Sequence, residues 1–244
     1  MFNVIISIIE FIFLFSMIPV AKKLFGKQGL TGLMVLYTIL ANIQVLKVIQ
    51  LGPDWMSVAL GNVAFAAIFT TSDLMNHAYS AKDSRRGIFI SVFSYIIFFI
   101  GMQLTIALQP GAADYVQDSL KTVFGTDGLY IWVSIGSLMS FFIGQMLNTY
   151  IFSWLVKKIN SKSKIALWFK SATSSMANLV ENFIFGALGY VILPFIFKST
   201  VIMPFSVVVS SSIIGTVLEG IITVVSPLFL LIGASKLCKS KDEA

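Results

Sequence analysis

Seven long apolar stretches constrain this chain more than any other feature of its sequence. A helix needs roughly 20 apolar residues to cross a hydrocarbon core of about 30 Å, and each stretch reaches about that length. With 57% hydrophobic and only 11% charged residues, the composition excludes a soluble domain, a disordered chain and a disulfide-rich scaffold. The predicted spans are about 3–20, 30–50, 56–78, 88–108, 129–154, 171–196 and 204–235.

The stretches leave no room for a second domain, because the longest gap between them, 109–128, is too short to fold separately. The predicted fold class is therefore all-α. We expect a single integral membrane domain over 1–244, a polytopic helical bundle of about seven transmembrane helices, with a six-helix core plus one. In the first stretch the lysines follow the apolar run, so we interpret it as a helix rather than a signal peptide.

Basic residues alternate between the loops. Fourteen of the 17 Lys and Arg residues fall in 21–29, 79–87, 155–170 and the tail after the last span, whereas the intervening loops together contain four Asp and two Lys. The positive-inside rule then predicts an N-terminus outside and a C-terminus in the cytoplasm of a multi-pass cell-membrane protein. The formal charge of +6 thus reflects topology, and we expect no nucleic-acid partner.

Polar side chains recur inside the spans at helical spacing. An ionisable group at mid-membrane costs about 2.5–3.5 kcal/mol on insertion scales, so each needs a partner or a function. The polar stripes must face one another or a wet cavity. One interpretation is that these side chains only hydrogen-bond the helices to one another. The other, which we favour, is that they line a binding cavity. The stripes contain Asn62, Asp73, Asn76, His77, Gln145, Asn148, Asn178, Glu181, Asn182 and Glu219.

Two further charges have structural interpretations. Glu10 stands alone in the first span, where a structural pair and a functional role are equally open. Lys47 lies about one turn from the outer end of the second span, so its stem can reach the interface.

Two eight-residue segments repeat in character. In both 145–152 and 178–185 the order is an amide residue, two apolar residues, two polar residues, an aromatic residue, Ile and Phe. Related halves of transporters often contribute equivalent helices to a midplane site. Under the predicted topology the two segments run in opposite directions.

Enzyme chemistry is poorly supported by the sequence. One His and one Cys cannot form a zinc site, a two-histidine haem site or a cysteine-ligated cluster. No P-loop, G-x-S-x-G, H-E-x-x-H or G-x-G-x-x-G occurs. We therefore expect no enzyme activity, catalytic residue, metal or cofactor, and an intramembrane enzyme using Asp73 or Glu181 is the weaker alternative.

Several motifs occur in a recognisable order. Asn42 to Lys47, Asp73-Leu-Met-Asn76-His77-Ala-Tyr79 and Ser84-Arg85 resemble the patterns N-x-x-x-x-K, D-x-x-N-E-x-Y-G and A-R of the queuosine-precursor transporter family, also called vitamin uptake transporters. The two repeat segments match the family as well. The departures are His77 for Glu, Ser80 for Gly, Asn148 and Glu181 for two acids of Q-x-x-D segments, and Lys170 for Arg.

The resemblance implies a secondary importer of a small planar heterocycle. A 7-deazaguanine precursor of queuosine or a related vitamin-like base would be the substrate, with proton symport across the cell inner membrane. Ring stacking is expected from Phe69, Tyr150, Phe152 and Phe185. Arg85 is expected either to stabilise helix carbonyls at the cytoplasmic end of the third span or to form a gate with Asp83 or Asp73. The implied substrate-binding residues are Asn42, Lys47, Phe69, Asp73, Asn76, His77, Gln145, Asn148, Asn178, Glu181 and Phe185, and the coupling or gating residues are Asp73, Arg85, Glu181 and Glu219.

Other functions remain open at this point. A substrate-binding subunit of an energy-coupling-factor importer would work with a separate ATPase, but the first span lacks the small-residue docking face of such subunits, so we do not expect that module. The third hypothesis is that the chain is a membrane partner protein that does not transport anything itself. The expected partners are the heterocyclic substrate and the lipid bilayer, and a homo-oligomer is left open.

Overall fold

The computed structural model describes residues 2–50, 57–125, 130–159, 163–174, 176–196, 213, 215, 217–222 and 224–235. The elements in chain order are α1 (Phe2–Gln44), β1 (Val48–Gln50), β2 (Ser57–Ala59), α2 (Asn62–Ala78), α3 (Ala81–Ala107), α4 (Gln117–Phe124), α5 (Tyr130–Lys158), α6 (Lys164–Ser174), α7 (Ala177–Ala187), a π-helical turn (Leu188–Ile192), α8 (Leu193–Ile196) and α9 (Pro227–Gly233). The last of these ends the apolar helical stretch Val217–Gly233.

Four helices in these ranges are long and apolar enough to cross a membrane: α1, α3, α5 and the run Lys164–Ile196. Their outward faces carry large apolar side chains, such as Phe93, Phe183 and Phe195, which are 64%, 77% and 78% exposed. Lipid chains satisfy such a surface, whereas water does not. The chain is therefore a helical, multi-pass membrane protein, as the sequence predicted.

Helix α1 is a hairpin of two antiparallel arms. Gly26 has a φ of 58° and a ψ of −137°, a left-handed conformation that favours glycine and reverses the helix. Across the arms, the Tyr37 hydroxyl donates to the Leu14 carbonyl at 2.7 Å, and the Gln44 amide donates to the Glu10 carboxylate. The two arms correspond to the first two predicted spans, and Glu10 has the structural partner that one interpretation expected.

The facing ends of the second and third predicted spans are not helical. Helix α1 ends at Gln44, and Lys47 lies exposed in the turn that follows. The strands β1 and β2 then pair antiparallel, with Val48 opposite Ala59. The prediction of spans over 30–50 and 56–78 is wrong at these ends, because β-branched Val48 and Ile49 favour extended backbone.

Helix α2 is the centre of the bundle. Each residue from Ala64 to Met75 is buried, and α2 packs against α1, α3, α5 and α9. A helix enclosed in this way can keep polar side chains only where neighbouring helices supply partners. The arrangement places Asp73 among several helices rather than in lipid.

Helices α5 and α7 pack antiparallel through glycines. A Cβ at Gly136 would lie 2.6 Å from the Cα of Gly189, and one at Gly144 would lie 2.6 Å from Oε2 of Glu181. Small residues let helix backbones approach closely in membranes. The two repeat segments therefore lie on neighbouring antiparallel helices and run in opposite directions, as predicted.

The loops predicted at 155–170 and 109–128 are shorter in the structure, because helices occupy parts of both segments. The basic segment 155–170 is mostly helical, since α5 continues to Lys158 and α6 begins at Lys164. The gap 109–128 contains α4, whose first turn is capped by the Asp114 carboxylate through the amides of Val116 and Gln117. Polar helix ends projecting beyond the apolar stretches explain both differences.

The basic segments meet at one end of the bundle. Lys22 is buried and donates to the Gly233 carbonyl at 3.1 Å, and Lys27 pairs with Asp83 at 2.9 Å. At the opposite end, the Asn3 amide donates to the Gln50 carbonyl at 2.8 Å. We call the first of these the basic end.

Candidate functional site

A buried carboxylate joins three helices. Oδ1 of Asp73 accepts from the Asn148 amide at 2.9 Å, and Oδ2 accepts from the hydroxyls of Ser171 and Ser174 at 2.7 and 3.0 Å. All four side chains are buried. Three donors spread and stabilise the carboxylate charge. We call these four residues the Asp73 cluster, which ties α2 to α5 and α6.

A second set of hydrogen bonds extends this contact. The Asn148 amide also donates to the Ser72 hydroxyl at 3.0 Å, and the Ser84 hydroxyl donates to the Ser72 carbonyl at 3.0 Å. The Asn76 amide donates to the Ser153 hydroxyl at 3.0 Å. The helical stripes did not single out Ser72 or Ser153, and Ser84 was marked only by its place beside Arg85 in the motif.

A layer of polar atoms without partners lies beside the Asp73 cluster. Gln145 is fully buried, and neither its Nε2 nor its Oε1 makes a hydrogen bond within the described ranges. The same holds for Oε2 of Glu181 and Oδ1 of Asn148. Each buried, unpaired group costs about 1–3 kcal/mol. We call Gln145, Asn148 and Glu181 the polar layer.

Packing brings the members of the polar layer together. The space that a Cβ on Gly144 would occupy is 2.6 Å from Oε2 and 2.8 Å from Cβ of Glu181, so this side chain lies against α5 next to Gln145. The Phe65 and Phe141 rings are 6.2 Å apart, and Asp73 meets Asn148 two turns further along. Between those contacts, α2 places the buried Phe69 level with the polar layer.

A second acid adjoins the polar layer. Oε2 of Glu219 accepts a hydrogen bond from the Asn182 amide, and Glu219 lies within electrostatic range of Glu181. Both carboxylates are buried, 1% exposed for Glu219 and 4% for Glu181. Asn178, also buried, lies one turn before Glu181 on α7.

Other predicted site residues lie further away. Asn42 is buried near the end opposite the basic end, where its amide donates to the Thr38 carbonyl at 2.8 Å and its Oδ1 has no partner in the described part of the chain. Lys47 is exposed and outside α1. The Phe185 ring packs on the Tyr190 ring, with centroids 5.1 Å apart and planes at 67°.

The predicted stacking set is only partly brought together. Tyr150 is 71% exposed on the outer surface, so its expected role in stacking is wrong. Phe152 is fully buried within the apolar core of the bundle. Phe69 is thus the aromatic residue of the set that reaches the polar layer.

At the basic end, His77 and Lys170 line a cavity of about 490 Å³, which we call the basic cavity. Arg85 is exposed at the same end. The expected pairing of Arg85 with Asp83 or Asp73 is wrong, because Asp83 pairs with Lys27 and the Asp73 oxygens accept from the Asp73 cluster.

A helical, multi-pass membrane bundle with an unpaired polar layer at its core is the architecture of a small-molecule transporter. Residues 59–232 match the family described as "Putative vitamin uptake transporter". A curated relative, "Probable queuosine precursor transporter" of Bacillus subtilis (strain 168), is 30% identical over 200 residues, which cover 79% of this chain and 84% of the relative. No solved structure gives a significant match.

The chain belongs to the vitamin uptake transporter family. It is a transporter rather than an enzyme, and the family resemblance drawn from its motifs is confirmed.

Proposed function

We propose that this transporter imports a 7-deazaguanine precursor of queuosine, or a related vitamin-like base, across the cell membrane. The polar layer carries the proposal, because Gln145 and Glu181 bring unpaired amide and carboxylate atoms together in the core. The name of the Bacillus subtilis relative supports the substrate class.

The chemistry of a guanine-like edge matches the polar layer. Such an edge presents N–H donors side by side, which a carboxylate accepts as a pair of charge-assisted hydrogen bonds. Glu181 would accept them, while Gln145 can both donate and accept beside it. The Phe69 ring would cover one face of the heterocycle. Asn178 would border the site, and Asn42 would lie beyond it toward the outer end of the bundle.

Asp73 has a different role in this proposal. Its oxygens already accept three hydrogen bonds from Asn148, Ser171 and Ser174, so it positions α5 and α6 rather than contacting the substrate. Asn148 connects the Asp73 cluster with the polar layer. Its amide nitrogen donates to Asp73, and its Oδ1 is one of the unpaired atoms of the polar layer.

The test is calorimetric binding of the cyano and aminomethyl bases to purified protein. Glu181→Gln removes one charged acceptor, which should weaken binding about tenfold or more. Glu10→Gln is the matched control, because Glu10 lies in α1 and pairs with Gln44. Equal affinities for wild type and E181Q, or an equal loss in E10Q, would refute the proposal.

We propose one membrane domain with seven passes. They are the two arms of α1, then α2, α3, α5, the run Lys164–Ile196 and the stretch Val217–Gly233. The basic end would face the cytoplasm, with the N-terminus outside. Labelling of single cysteines with an impermeant maleimide, after replacement of Cys238 by Ser, tests this. Asp118→Cys should react in intact cells and Lys82→Cys should not, and the reverse pattern would contradict the topology.

We also propose that proton entry drives uptake through Glu181 and Glu219. Two ionised carboxylates within electrostatic range of each other repel, and protonation of either one relieves that repulsion. In proteoliposomes, an inward proton gradient should accelerate uptake by wild type and not by Glu219→Gln. Uptake by wild type that ignores the gradient would exclude this coupling.

Import would need no separate ATPase in this proposal. Purified protein alone in liposomes should therefore accumulate the base without ATP. Accumulation that requires an added ATPase pair would favour a binding subunit instead.

Light scattering of the purified protein would decide between a monomer and a homo-oligomer.

A further inference from the structure

The basic cavity is separate from the polar layer and joins four parts of the bundle. It is lined by the end of α2, the end of α5, the start of α6 and the end of α9. Its volume of about 490 Å³ accommodates a small molecule or a lipid headgroup.

The polar lining of the basic cavity consists of two lysine cations, one imidazole and two hydroxyls. Lys164, Lys170 and His77 line it together with Ser163 and Ser235. None of the lining residues that the structure describes is acidic. Lys170 is only 6% exposed, so one of these cations is held in a partly dehydrated position where electrostatic attraction is strong.

The surroundings reinforce the positive potential. Lys22 is 4% exposed and lies within electrostatic range of His77, as does Lys170. The nearest buried acid along α2, Asp73, is one turn away, where its oxygens accept from Asn148 and two serines. Helix α6 begins at Lys164, and its N-terminal end adds partial positive charge.

We propose that the basic cavity binds a phosphate group, either on a free phosphorylated small molecule or on the headgroup of an anionic lipid. Lys170 and Lys164 would hold the charge, and the His77 imidazole would donate to a remaining oxygen. A bound phosphate would hold the ends of α2, α5, α6 and α9 together at the basic end. This inference does not depend on the identity of the transported base.

The first test measures pyrophosphate binding by calorimetry, using the full-length protein in an uncharged detergent at low ionic strength. Loss of each lysine should weaken binding about tenfold. Because replacement of the buried Lys170 risks unfolding the bundle, Lys164→Gln and His77→Gln, which alter exposed side chains, carry the test by themselves. Lys82→Gln is the matched control, since Lys82 is exposed at the same end and does not line the cavity.

The second test separates the two sources of phosphate. Native mass spectrometry of protein from nanodiscs of phosphatidylcholine with phosphatidylglycerol counts retained anionic lipid in wild type, K164Q, H77Q and K82Q. If K164Q loses phosphatidylglycerol and K82Q does not, the bound phosphate belongs to a lipid headgroup. If K164Q loses pyrophosphate binding but retains phosphatidylglycerol, the ligand is a free phosphorylated molecule. The proposal is overturned if K164Q and H77Q bind both probes as K82Q does.

Discussion

Gly144→Ala tests the contact between α5 and α7 that positions Glu181. The added Cβ would lie 2.6 Å from Oε2, 2.8 Å from Cβ and 3.3 Å from Cδ of Glu181. The carboxylate oxygen can rotate away, but Glu181 Cβ moves only with its backbone, so α7 must shift. Overpacking of this kind costs about 1–3 kcal/mol. If the shift removes Glu181 from the substrate, loss of a hydrogen bond to a charged group, worth about 1.5–3 kcal/mol, raises the Kd for the base about 10- to 150-fold.

The assay is calorimetric binding of the cyano base, with thermal unfolding measured in parallel to confirm a folded protein. Gly101→Ala in α3 is the control, because a Cβ there meets nothing within 4 Å. That variant should bind normally and gain about 0.5–1 kcal/mol of helix stability. If folded G144A binds the base within about twofold of wild type, Glu181 does not contact the substrate as proposed.

Three further substitutions probe the packing. Asp73→Asn leaves at least one buried donor without an acceptor and should destabilise the protein by about 1–3 kcal/mol, measured by thermal unfolding against exposed Asp118→Asn. An unchanged melting temperature would contradict the Asp73 cluster. Lys22→Met removes the donor to the last carbonyl of α9 and should cost about 1–3 kcal/mol, whereas Lys23→Met should be neutral. Gly61→Ala forces a Cβ to 2.8 Å from an α1 carbonyl at a φ of 106° and should cost about 1–3 kcal/mol in the same assay, so wild-type stability would contradict this geometry.

Much of the architecture could be predicted from the apolar stretches. The spacing of polar residues on a helix placed Asp73 and Asn148 on faces that do meet. Periodicity works here because lipid forces every polar stripe inward, so the stripes have few places to go. The repeat segments likewise indicated that α5 and α7 contribute neighbouring residues.

Pairings across the bundle could not be predicted in the same way. The hydropathy of 21–29 assigned Lys22 to a loop, yet a hydrogen bond to the Gly233 carbonyl holds it buried. Asp83 could have paired with several basic residues near it, and only the turn at Gly26 brings Lys27 within reach. The importance of Gly144 depends on which residue of α7 faces it, which a single helix does not reveal.

The structure of the complex with a bound deazaguanine base tests the central claim most directly. We predict that the heterocycle lies between α5 and α7, with its N–H edge about 2.7–3.2 Å from the Glu181 carboxylate and its neighbouring heteroatoms at Gln145. A base bound in the basic cavity beside Lys170, with Gln145 and Glu181 still unpaired, would contradict the account.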